Sequence, residues 1–117
     1  MATWNATELA EGVLIQLGVL AAGQSATAED TKVVTDSWNS IHPQLRRFGL
    51  APFALAVIPE EFQEPLVKYV AGQVSAKFGL AGAREATVMR EGMRGWTQIQ
   101  EQVSADRTVL PTRPDYF

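Results

Sequence analysis

Cysteine is absent from this chain of 117 residues, and histidine occurs once, at position 42. The first absence excludes disulfide frameworks and thiolate zinc sites. The second leaves His42 without the further ligands that a metal ion needs at fixed spacing, so it reads as a structural or solvent-facing residue beside Pro43. No metal or other cofactor is expected. Long apolar runs are missing as well. None approaches the roughly 18 residues of a membrane helix, so no membrane association is expected. The opening Met-Ala-Thr-Trp-Asn-Ala-Thr-Glu has no basic region ahead of an apolar core and does not read as a secretory signal. Basic charge is scarce too: 10 Lys and Arg stand against 13 Asp and Glu, a net charge of −3. Arg46-Arg47 is the one adjacent basic pair, so the basic footprint of a phosphate-gripping protein is not visible.

What is present is amphipathic helix. The apolar fraction of 46% and charged fraction of 20% suit one globular domain. A chain of this length buries about 65–70% of its unfolded surface, enough to fold without staples. The first helix is expected over Ala6–Leu17. Asn5 caps it, Glu8 completes a capping box, Leu9, Val13 and Leu17 repeat at helical spacing, and Gly18 stops it. A second begins near Ala28, capped by Ser25 or Thr27, with Glu29 and Asp30 at the positive end of its dipole. Its stripe Val34, Trp38, Ile41, Leu45, Phe48 runs straight through Pro43, which either kinks the helix or opens a short following one, and Gly49 ends it.

The apolar run Leu50 to Ile58 reads as a buried connection or a short strand. Pro59 with Glu60-Glu61 marks the next start, with Pro65 able to split off its first turn. Leu66, Val70, Val74 and Phe78 carry the third helix to Gly79. The fourth is expected from about Ala83 to Val103, with Val88, Met89, Met93, Trp96, Ile99 and Val103 on its apolar face. Arg84, Glu85, Arg90, Glu91 and Arg94 form its wet face. Gly92 and Gly95 each cost a helix about 1 kcal/mol relative to Ala, which points to a close backbone approach or a bend. The expected fold is all-α: a small four-helix bundle, possibly with an extra short helix, and an extended C-terminal arm. The division is a helical bundle domain over 1–106 and an arm over 107–117.

Catalytic constellations are not found. The acid pairs Glu29-Asp30 and Glu60-Glu61 sit at helix starts, where the dipole explains them. Neighbours in one turn do not face each other as an acid–base pair must. Gly79-Leu-Ala-Gly82 is too short for a phosphate loop. Serines 25, 37, 40, 75 and 104 have no nucleophile context. Trp38 and Trp96 read as core, whereas Trp4 lies outside the first stripe and either staples the N-terminus or meets a neighbour. The last eleven residues, Arg107 to Phe117, carry Pro111 and Pro114, which cannot continue a helix. They also carry Val109, Leu110, Tyr116 and Phe117. An extended arm cannot bury these against itself, so Val109, Leu110, Pro111, Pro114, Tyr116 and Phe117 are the candidate partner-binding residues.

The stretch Leu9-x-x-x-Val13-Leu14-x-x-Leu17-Gly18 through Gly23-Gln24-Ser25-Ala26-Thr27-Ala28-Glu29-Asp30 resembles the opening of phage head–tail adaptor proteins, also called head–tail connector, tail accessory or packaged-DNA stabilisation proteins. Asp36-Ser37-Trp38, Ile58-Pro59 with the helix ending Phe78-Gly79, and the Pro-containing tail are similar to that family as well. The resemblance implies a virion structural protein made in the host bacterial cytoplasm. It would form a ring, of dodecameric order, beneath the portal protein at the head–tail connector. It would extend the DNA channel and give tail or stopper proteins a platform. DNA would pass without sequence-specific binding, and no catalytic residues are implied. The arm would reach the portal or a neighbouring copy. The alternative is a small helical DNA-binding or regulatory module, for which Arg84, Arg90 and Arg94 offer the one candidate recognition face. An enzyme or small-ligand binder has no support in the residues.

Overall fold

A computed structural model of the protein describes residues 3–21 and 23–108, the side chains as far as residue 105. Four α-helices follow one another: α1 (Ala6–Leu17), α2 (Ala28–Arg47), α3 (Glu60–Val74) and α4 (Gly82–Thr108), with a 3₁₀ turn over Ser75–Phe78 between the last two. Among the described residues the fold is all-α, and the one β-type pairing is an isolated bridge between Trp4 and Ile58.

Local chemistry sets the helix ends. The Asn5 side chain accepts from the Glu8 amide and the Glu8 carboxylate accepts from the Asn5 amide, both at 2.9 Å, closing the capping box. Thr27, not Ser25, caps α2 by accepting from the Asp30 amide at 3.1 Å. Neither interior proline breaks its helix: α2 runs through Pro43 and α3 through Pro65. Asn39, whose carbonyl loses its helix partner to Pro43, is an exposed residue, where solvent can replace the lost bond. The third apolar repeat does not stay α-helical to its end. It tightens into the 3₁₀ turn after Val74 and stops at Gly79.

The helix α3 is the middle element. Helices α1 and α2 pack on each other and on one side of it, and α4 lies along it with almost no other partner. The core lies where α1, α2 and α3 meet. Leu9, Leu14, Val34, Trp38, Leu66 and Val70 are fully enclosed there. The run 50–58 is a buried connection, not a strand. Trp38 Nε1 donates to the Leu55 carbonyl at 3.0 Å, and His42 Nε2 lies 2.8 Å from the Phe53 carbonyl oxygen. A carbonyl only accepts, so the proton sits on Nε2. His42 is thus a buried structural residue, packed between Trp38 and Phe53. At the far end of the run, the Trp4 and Ile58 backbones exchange hydrogen bonds at 3.0 and 2.9 Å. Trp4 therefore staples the N-terminus to the start of α3.

The α3–α4 contact is backbone-close and antiparallel. A Cβ at Gly92 would lie 3.2 Å from the Gly72 Cα, and one at Gly95 would lie 2.5 Å from the Pro65 carbonyl oxygen. Close approach, and not a bend, is what the two glycines serve. At its far end α4 continues to Thr108, five residues past Val103. Arg107 and Thr108 therefore belong to the helix, and the arm does not start at 107. The candidate partner residues Val109, Leu110, Pro111, Pro114, Tyr116 and Phe117 lie outside the described residues.

Candidate functional site

The apolar face expected for α4 divides in two. Val88, Gly92, Gly95, Ile99 and Val103 form the seam buried against α3. Met89 and Met93 are left 51% and 66% exposed, and Trp96 is half-buried. The small glycines bring α3 in at the seam and turn the bulkier neighbours outward. At about 100° per residue, Met89, Met93 and Trp96 fall on one side of that seam. The stripe of α2 fails at the same place. Val34, Trp38, Ile41 and Leu45 are core, but Phe48 is 66% exposed.

These outliers converge. Phe48 stands edge-on to Trp96 with centroids 6.3 Å apart, and Trp96 lies tilted on Tyr69 at 5.2 Å. Tyr69 in turn shares a small cleft with Gly72, Met89 and Met93. The result is one continuous ridge of aromatic and methionine side chains from the C-terminus of α2 across α3 to α4. Aromatic pairs of this geometry fix one another's orientation, while thioethers adapt to the shape of what they meet. Burial raises the Tyr69 phenol above its ordinary value, so it stays neutral at the ridge. The exposed Arg46 and Arg47 precede Phe48 in the chain, while the exposed Arg90 and Arg94 lie on the outward face of α4, away from the seam.

Other polar groups are engaged structurally. Arg84 Nη2 donates to the Leu17 carbonyl at 2.6 Å, closing the C-terminal end of α1 from α4. Lys77 donates to Ser37 Oγ at 2.8 Å. Among the described residues no group of acids and histidine is placed to hold a metal ion, and no helix is long and apolar enough to cross a membrane. The ridge was not legible as a unit in the sequence, because Phe48, Met89, Met93 and Trp96 all occupy positions that periodicity assigns to core. The signal available was the glycine pair, which marks the true seam.

Comparison with known proteins finds no matching family model, no matching curated protein and no matching solved structure.

Proposed function

We propose that this chain acts by assembly with other proteins and not by chemistry, and that it is a virion structural subunit of the head–tail adaptor type. The observation that supports assembly is the ridge. Monomeric proteins scatter their exposed apolar residues, whereas a contiguous apolar face rimmed by charge marks a contact surface. Trp, Tyr, Phe, Met and Arg are the residue types enriched at the centres of such contacts. The ridge holds the first four. The narrower reading draws on the sequence resemblance. Copies would form a ring under the portal protein, lengthen the DNA channel and carry tail or stopper proteins, with Val109 to Phe117 reaching the portal or a neighbour. Of the recognition face that a DNA-binding module would need, Arg84 has one donor engaged, its Nη2 bonding the Leu17 carbonyl of α1.

The test is co-purification with the portal protein encoded nearest to the chain. Full-length protein is expected to co-elute with portal rings, and protein ending at Thr108 is expected to keep its helical circular dichroism and lose the co-elution. Failure of the full-length chain to bind would reject the adaptor reading. Equal binding by the truncated chain would reject the role of the last nine residues.

A further inference from the structure

We infer that in the free subunit the segment Val109 to Phe117 folds back along α4 and lays Tyr116 and Phe117 on the ridge of its own copy, and that a partner must lift it off. This rests on the assembly reading, in which the same segment engages the partner, and adds to it a latch that controls when it does so. Among the described residues nothing covers the ridge: Phe48 and Met93 are each 66% exposed and Met89 is 51% exposed. Tyr69, Met89 and Met93 wall its cleft, and Gly72 and Gly92 line it without adding a side chain to fill it.

Reach permits this. Nine residues follow Thr108 in the sequence, and Pro111 and Pro114 among them favour extended backbone over helix. At about 3.1 Å per residue such a segment spans about 28 Å. Trp96 and Met93 stand 12 and 15 residues before Thr108, about 18 and 22 Å back along the α4 axis. The segment is thus long enough to reverse after the helix and set Tyr116 and Phe117 over Trp96 and Met93. The way there is open. Gln100 and Ser104 fall on the ridge side of α4, and both are exposed and uncharged.

The chemistry of the two flanks selects the ridge. On the other side of the seam, the groove between α3 and α4 is lined by Glu61, Glu64, Gln98 and Glu101. Aromatic rings laid there would strip water from carboxylates and amides, which is costly. Arg113 and Asp115 offset each other in charge, so apolar contact decides where the segment lies. On the ridge the two rings meet Trp96 and Phe48, which pair well with aromatics, and the thioethers of Met89 and Met93, which favour ring edges. Tethering selects the same copy. A segment joined to its site within one chain meets it at a millimolar effective concentration, so at micromolar protein it wins over the segment of a second copy.

Because the chain has no cysteine, two introduced ones form its sole disulfide. The test compares disulfide closure in two full-length double variants, Gln100→Cys with Thr112→Cys and Glu101→Cys with Thr112→Cys, at micromolar protein in a glutathione buffer. Positions 100 and 101 are both exposed and stand at nearly the same height on α4, but they face different flanks. Circular dichroism checks that both variants fold, and each closure rate is divided by that helix thiol's rate with glutathione disulfide alone. The Gln100 pair is expected to close about fivefold faster, the weight of an aromatic contact. Adding Tyr116→Ser and Phe117→Ser should bring the two rates together. Equal rates with the two rings in place would overturn the inference. So would a difference that survives the serine changes, or covalent dimers formed in preference to the internal bond. The closed Gln100 pair is expected to lose co-elution with portal rings and to regain it on reduction, and co-elution of the closed form would overturn the latch. Equal closure rates with portal binding retained would sink the latch alone. Faster closure of the Gln100 pair in a chain whose parent does not bind the portal would support the fold-back and sink the adaptor reading alone.

Discussion

Single side chains hold the parts of this molecule that have no regular structure. Trp38 and His42, one turn apart on α2, each bond a carbonyl of the run 50–58. They supply partners that a buried irregular backbone would otherwise lack. Trp38 is visible in the sequence as an apolar-face position and His42 only as a residue beside Pro43, but the carbonyls they meet are 17 and 11 residues away, and no local pattern encodes that pairing. Tyr69 has a consequence that can be measured. Burial raises its phenol above the ordinary 10.0, so above that pH the unfolded chain loses the proton before the folded chain does. The folded state then binds more protons, and stability falls as pH rises from the unfolded value toward the folded one. Tyr69→Phe removes the titrating group. Its urea midpoint is expected to fall less steeply than the parent's above about pH 10, and parallel curves for the two proteins would refute the assignment.

At the scale of elements, α4 is the informative one. It is 27 residues long, about 40 Å at 1.5 Å per residue, and packs along α3 by way of glycines. Gly95→Ala separates the two costs of that arrangement. Alanine is the better helix former by about 1 kcal/mol, yet its methyl would lie 2.5 Å from the Pro65 carbonyl oxygen. Backbone cannot yield as a side-chain tip does, and overpacking costs about 1–3 kcal/mol. A net loss of stability is expected in denaturant titration, and a gain would mean that α4 does not approach α3 this closely. Helix existence and ends were largely legible, because caps are local: Asn5 with Glu8, Thr27 and Gly79 act within a few residues. The prolines were less so. Pro43 reads as a kink or the opening of a short following helix and Pro65 as able to split off a turn, but packing of the surrounding stripes holds both helices continuous, since tertiary contact outweighs one lost hydrogen bond.

On the scale of the whole molecule, a ridge of aromatic and methionine side chains and an apolar cleft edged by glutamates lie on opposite flanks of α3 and α4. The sequence alone determined that the chain is helical, where α1 starts and stops, and that no thiol chemistry is available, because capping, glycine and composition act locally. Only the tertiary structure decided which apolar side chains are covered. Periodicity marks a broad apolar stripe on α4 but not the line along which α3 meets it. That line is set by Gly92 and Gly95, where backbones approach closest, and it leaves Met89 and Met93 facing outward.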